Sequence, residues 1–357
     1  MRDGVSFMAI PLGKNNAVTV VDRTLSELLS KKYAGKRLET VYFCRILKEI
    51  GVDLIEIDTK FLESIPKLPC GVAFLLRINS KEDVMRAFKS NVKYCIFPEK
   101  TLQDAETVRK AKNFGIKTTV EVKAEKLSDI DRVKNLSNLD LVDEVRLAGL
   151  DSIFDPLWVN KVKKLSKTLN KAINICPQDT YYSATALALE AIMSGINSIT
   201  VSFLGYGKST GLAALEEVVT ATKVILNTEM KLDLSKLPEA AQYFTLISGI
   251  KIPENKPVVG KRIFEYQAGI HADGIEKDPE TYEPFDPSMV GLKRELTIGK
   301  HSGKRALQRK LEELGIICKL EEAARILNYV REKSIQCKRD LLDEEILDIY
   351  KSLQFIR

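Results

Sequence analysis

Only two histidines occur in the 357 residues, His271 and His301, and both fall in one part of the chain. The first sits in FEYQAGIHADGIEKDPETYEPFDPSMVG at 264–291, the second in IGKHSGKRAL at 298–307. Imidazole titrates nearer neutrality than any other side chain, which suits it to moving protons. Asp273 stands two residues beyond His271 and Tyr282 eleven beyond, so the three together form a candidate general acid/base group. A hydrogen-bonded loop scaffold is the other reading of His271. His301, just before a helical pattern, reads as a residue at a helix start. A second candidate is Gly205-Tyr206-Gly207-Lys208-Ser209-Thr210-Gly211. Backbone N–H groups at a helix start, with Gly205, Gly207 and Lys208, suit an anionic group; the same glycines equally serve a tight strand-to-helix turn.

These residues need a scaffold, and the pattern around them supplies one. Apolar runs recur at 17–21, 53–57, 72–77, 93–98, 117–122, 144–149, 172–176 and 198–205. Most lack strict alternation, as strands buried on both faces do. Helical spacing fills the gaps, for example at 38–50, 102–113 and 211–227. Eight such β-α units in about 230 residues predict an α/β fold, a (β/α)8 TIM barrel, ahead of an open doubly wound sheet. The barrel is assigned to 1–245, a linker and C-terminal catalytic segment to 246–303, and a smaller, mainly helical C-terminal region to 304–357. The weak pattern and prolines of 228–260 read as the way out of the barrel. In the helical region Ser302 is a candidate N-cap and Gly315 a stop signal.

Composition narrows the function classes. The net charge is +6, but 55 basic and 49 acidic residues are well mixed. That predicts a solvated surface and a small anionic ligand, not a nucleic-acid groove. The six cysteines form no CxxC pair and read as reduced core residues, not a disulfide frame or zinc site. No stretch has the ~18 apolar residues of a membrane span, and the first residues lack a signal-peptide run. A cytoplasmic protein without membrane or nucleic-acid partners is expected.

Two stretches carry a resemblance. GIHADGIEKDPETYEPFDPSMVG with IGKHSG, and GYGKSTGLAALEEVV, resemble the acyltransferases that condense acetyl-CoA with a 2-oxo acid: the homocitrate, isopropylmalate and citramalate synthase family. The resemblance spans nearly the whole chain and implies a (β/α)8 barrel with C-terminal subdomains. It also implies a divalent metal (Mg, Mn or Zn) that polarises the 2-oxo acid. That metal is held by an acid of a D-x-T-L-R-D-G motif after strand one and two histidines of an H-x-H-N-D motif after strand seven.

The chain departs from those motifs. Asp22, Thr24 and Leu25 keep the first frame, but Ser26 replaces its arginine, Glu27 its metal acid and Leu28 its glycine. Ile175 and Pro177 replace the two histidines, while Asp179 keeps the register. Beyond strand six, Ala148-Gly149-Leu150-Asp151-Ser152 departs from A-D-T-x-G, ahead of a retained Asp155-Pro156. The resemblance therefore implies no metal in this chain but a retained acid/base segment with His271, Asp273 and Tyr282. In the family that segment reaches over a partner's barrel mouth. Some members are split into an alpha and an omega chain, and this pattern is similar to the omega type. The implied partner is a homocitrate synthase alpha-type subunit that carries the metal. The implied reaction uses acetyl-CoA and 2-oxoglutarate to make homocitrate for the nitrogenase iron–molybdenum cofactor, with the isolated chain inactive. A non-catalytic regulatory or scaffold relative is the alternative. A self-sufficient acyltransferase using Glu27 or Asp179 ranks behind both, because an unpolarised ketone loses transition-state stabilisation.

Overall fold

A computed structural model describes residues 18–28, 35–150, 157–196, 198–226, 232–267, 274, 275 and 277–354. The chain divides into two compact units, Met1–Ile252 and Pro253–Arg357.

In the first unit eight parallel strands close into a barrel in chain order. They are β1 (Thr19–Asp22), β2 (Leu54–Ile57), β3 (Phe74–Arg77), β4 (Tyr94–Pro98), β5 (Lys117–Lys123), β6 (Glu144–Leu150), β7 (Ala172–Pro177) and β8 (Ser198–Val201). Closure comes from β1 pairing with β8, Asp22 opposite Val201. Alternate residues of a strand share a face. Val21, Leu75 and Ile96 form one apolar cluster, with Leu54 and Tyr94 against it. Two residues further along the same strand lines come Arg23, Glu56 and Arg77, so the apolar layer underlies a charged one at the C-terminal strand ends.

The helices are pinned by their buried faces. Helix Arg37–Ile50 buries Phe43, Cys44, Ile46, Leu47 and Ile50, and ends at Gly51, whose φ of 113° only glycine adopts readily. The stretch 228–260, expected as a linker, instead contains helix Leu237–Ser248. Its Pro238 occupies the first turn, where a missing N–H costs nothing, and Gly249 ends it with φ 72°. Phe244 of this helix packs on Phe203 at 5.6 Å, and Phe203 meets Phe43 edge-on at 5.8 Å. That aromatic cluster fixes the chain just after β8. Three other boundaries also differ from expectation. β8 stops at Val201, and Phe203–Gly205 forms a 3-10 turn with Leu204 at φ 57°. The helix expected from 211 begins at Leu215. The helix expected over 102–113 is two pieces, Glu99–Leu102 and Ala105–Asn113, because the Asp104 carboxylate accepts from the N–H groups of Glu106 and Thr107 and starts a new helix.

In the second unit, β9 (Glu265–Tyr266) pairs in parallel with β10 (Glu295–Leu296). Helices Lys304–Glu313, Leu320–Cys337 and Asp343–Gln354 follow. They enclose a core of Leu307, Leu311, Ala323, Ile326, Val330 and Ile346. Ser302 does not cap the first of them. Its Oγ accepts from the Gly299 N–H at 3.0 Å, and Gly303 is the cap residue. Gly315 does end that helix, with φ 80°. Cys44, Cys95, Cys176 and Cys318 are buried, whereas Cys70 is exposed and Cys337 half-buried; all six are free thiols. No helix among the described residues is long and apolar enough to cross a membrane.

Candidate functional site

The C-terminal ends of barrel strands are where such folds carry their chemistry. Here those ends carry six interlocked charges. Arg23 follows β1, Glu27 lies in the short helix Thr24–Glu27, and Glu56, Arg77, Glu121 and Arg146 come from β2, β3, β5 and β6. Arg77 forks between two carboxylates. It donates to Glu56 Oε1 from Nη2 at 2.7 Å and from Nε at 3.0 Å, and to Glu121 from Nη1 at 3.0 Å and Nη2 at 2.9 Å. Arg23 reaches Glu121 at 2.8 Å through Nη1 and Glu27 at 2.8 Å through Nε. Arg146 donates from Nη1 to Glu56 and lies 3.4 Å from Glu121. Ser26 Oγ adds a 3.3 Å bond to Glu56.

Burial and charge oppose each other in this cluster. Glu56 and Arg146 are fully buried. Burial alone would raise the Glu56 carboxyl, but Arg146, Arg77 and Arg23 hold it well below the ordinary range. Glu121 is treated the same way: burial works upward, and Arg23 and Arg77 carry it below its ordinary value. Arg77 stays charged at any accessible pH despite its burial, because Glu56 and Glu121 face it. Ion pairs this dry persist only when every partner is present, since one uncompensated charge is costly.

The residues at the family's metal positions do not form a metal site. Ile175 and Pro177 are buried and offer no side-chain donor. The Glu27 carboxylate is taken by Arg23 and by the Lys208 N–H at 3.2 Å. Asp179 Oδ1 accepts from the Ala184 N–H at 2.9 Å, and so helps start the helix Ala184–Met193. Asp22 is fully buried, with both oxygens bonded by Thr24, from its N–H at 3.0 Å and its hydroxyl at 2.8 Å. Burial pushes its carboxyl up to about 7 against those bonds, and Glu56 adds to the rise. Among the described residues no group of three His, Cys, Asp or Glu side chains is arranged to hold a metal. This donor set does not fit a dication.

The 205–211 loop is a tight, self-bonded turn. Gly205 N–H donates to Ser202 O, Gly211 N–H to Lys208 O, and Leu212 N–H to Gly205 O at 3.0 Å. Gly211 has φ 87°, and a Cβ there would collide with the Gly205 carbonyl oxygen. Tyr206 packs edge-on against Phe244 at 5.8 Å. The N–H groups of Gly205, Tyr206 and Gly211 are therefore used within the turn and that of Lys208 is taken by Glu27, while the Lys208 side chain is exposed.

In the second unit His271 and Asp273 lie outside the described residues. Tyr282 is described and is 44% exposed, just after the single turn Pro279–Thr281. Its ring lies so close to Gly274 that a Cβ there would overlap it. Two anchors stand on either side of His271 and Asp273 in the chain. Gln267 donates to both Asp340 oxygens at 2.8 Å, and Arg294 forks onto Glu283 with two 2.7 Å bonds. His301 is exposed in the turn before helix Lys304–Glu313. Of the charged cluster at the barrel mouth, sequence reasoning singled out only Glu27 and missed its pairing with Arg23, Glu56, Arg77, Glu121 and Arg146.

Comparison with known proteins places this geometry in context. Residues 78–244 match the family described as HMGL-like, and residues 258–338 match "Homocitrate synthase post-HMGL domain-like". "Homocitrate synthase, omega subunit" of Clostridium pasteurianum is 34% identical over 353 residues, which is 93% of this chain and 95% of that protein. "2-isopropylmalate synthase 2" of Caldanaerobacter subterraneus subsp. tengcongensis is 30% identical over 377 residues, 95% of this chain and 97% of that one. A solved hydroxymethylglutaryl-CoA lyase from Pseudomonas aeruginosa superposes with a TM-score of 0.55 at 14% identity, over 66% of this chain and 94% of its own; it supports the barrel fold alone. The near full-length identity, the closed eight-stranded barrel and the two matched regions agree, and the chain belongs to the homocitrate synthase/isopropylmalate synthase family.

Proposed function

We propose that this chain is a subunit of a homocitrate synthase-type acyltransferase, and that it supplies an acid/base segment to a metal-binding alpha-type partner. The reaction is the condensation of acetyl-CoA with 2-oxoglutarate and water to homocitrate and CoA, in the cytoplasm, on the way to the nitrogenase iron–molybdenum cofactor. One observation carries this reading. The barrel mouth holds interlocked arginines and glutamates, with Ile175 and Pro177 at the ligand positions, whereas the His271 segment keeps every chemistry-bearing residue type. The likeness to the omega subunit of Clostridium pasteurianum supports it.

In this reading His271 takes a methyl proton from acetyl-CoA, as a group titrating near neutrality does well. Asp273 and Tyr282 orient the imidazole and polarise the thioester. Lys208, with the Gly205 and Gly207 turn, faces a substrate anion weakly. The divalent metal (Mg, Mn or Zn) belongs to the partner. The test is to purify the chain and a metal-binding homologue separately, then follow CoA release from acetyl-CoA and 2-oxoglutarate. Turnover is expected only from the mixture, and is expected to fall when His271→Ala replaces the native chain. An inactive mixture counts against the proposal. Full activity with His271→Ala favours a non-catalytic scaffold instead.

A further inference from the structure

We infer that the mouth of this barrel is a self-neutralised plug, in which side-chain charges exclude both a dication and a dicarboxylate, and that removing one carboxylate turns it into an anion site. The inference stands on the first unit alone and does not depend on any partner.

The argument starts from position. Arg23, Glu56, Arg77, Glu121 and Arg146 follow one another around the ring from β1, β2, β3, β5 and β6, so positive and negative groups alternate. Glu27 faces Arg23 from the short helix above the first strand. Three guanidiniums and three carboxylates sum to zero. Each carboxylate is held at hydrogen-bond distance: Glu27 by Arg23, Glu56 by Arg77 and Arg146, and Glu121 by Arg23 and Arg77. A dication entering the ring would have to strip a guanidinium from each carboxylate and leave it uncompensated in a largely buried site. A dicarboxylate would face the reverse problem. Neither exchange is favourable where uncompensated charge is so costly.

The same geometry shows what one substitution exposes. Glu121 joins two arginines at 2.8 to 3.0 Å. Glu121→Gln keeps the shape but leaves three guanidiniums against two carboxylates. Arg146 is fully buried, and its Nε and Nη2 make no hydrogen bond. The groups of Arg23 and Arg77 that Glu121 no longer holds, both partly exposed, would then meet a small dianion, for which planar guanidinium forks are suited, with buried Arg146 adding its uncompensated charge.

The experiment is calorimetric titration of the intact chain with oxalate, and with chloride as a monovalent control, at low ionic strength. The native protein is expected to show no saturable oxalate binding up to millimolar concentration. Glu121→Gln, folded by circular dichroism, is expected to bind oxalate at least tenfold more tightly than the native chain and more tightly than chloride. Glu27→Gln, which frees Arg23 alone, serves as the second variant if Glu121→Gln fails to fold, and is expected to gain less. Saturable oxalate binding by the native protein would overturn the inference. So would two folded variants that gain none.

Discussion

The barrel mouth and the C-terminal segment are built on opposite plans. In the mouth, charged side chains rise from strand ends, each held by one or more partners, and two are fully buried. In the segment, Tyr282 stands on a short turn, half-exposed, with its ring over a glycine. Side chains so paired cannot bind, move protons or reorient without losing several contacts, whereas an exposed tyrosine on an anchored loop can meet a second surface. The difference separates a region of mutually locked charges from a short turn that holds a partly exposed tyrosine.

The sharpest way to break that comparison is to remove one key residue from each side. In the mixed enzyme, His271→Ala is expected to lower CoA release by roughly 10²–10⁴-fold, the usual contribution of a general acid/base. The unfolding stability of the isolated chain should barely change. Arg146→Ala is expected to do the reverse. It leaves Glu56 buried with one fewer guanidinium, and chemical denaturation should show a loss on the order of 3–5 kcal/mol. A loss under about 1 kcal/mol would mean that the cluster is not the structural unit described.

A pH series sharpens the picture. The folded Asp22 carboxyl, raised by burial from 3.8 to about 7, stays protonated where the unfolded chain has ionised. Its contribution is therefore complete below pH ~4 and is lost as pH rises toward 7. Glu56 and Glu121, held below their ordinary 4.5, act in the other direction, and their contribution is lost as pH falls below that value. The two windows barely overlap. Asp22→Asn should flatten the fall in thermal stability between pH 5 and 7, a change on the order of 2 kcal/mol. It should leave the acid limb as it was. An unchanged slope between pH 5 and 7 would remove Asp22 from the account. The loop gives a further test, because Gly211→Ala drives a Cβ into the Gly205 carbonyl at positive φ. A loss of at least about 2 kcal/mol is expected in thermal unfolding. A neutral outcome would show the turn to be looser than its hydrogen bonds imply.

Much of the scaffold was legible because buried parallel strands leave long apolar runs, and all eight predicted strands overlap the observed ones. β8 was overextended because Phe203 and Leu204 continue an apolar run that the backbone breaks with a left-handed Leu204. Helix Leu237–Ser248 was hidden because KLDLSKLPEAAQ shows only a weak pattern ahead of the proline-spaced PENKPVVGK, although Pro238 suits a first helical turn. The charged ring left a signal that went unread. In DLIEI, VAFLLR, KTTVEV and EVRLAG, the charges Glu56, Arg77, Glu121 and Arg146 sit directly against apolar strand residues. A single charge in such a run must find a partner, and several at one level find one another across a closed barrel. Strand pairing could not be known from one sequence, so the partners stayed hidden. The converse holds for His271 and Asp273: their chemistry was legible from type and spacing, but their placement lies outside the described residues.

The most direct test of the central claim is to dialyse the isolated chain against excess Mn²⁺, remove free metal, and measure both bound metal and CoA release. The account predicts no stoichiometric metal and no turnover from the chain alone. One tightly held Mn²⁺ per chain, with turnover by the lone protein, would contradict it.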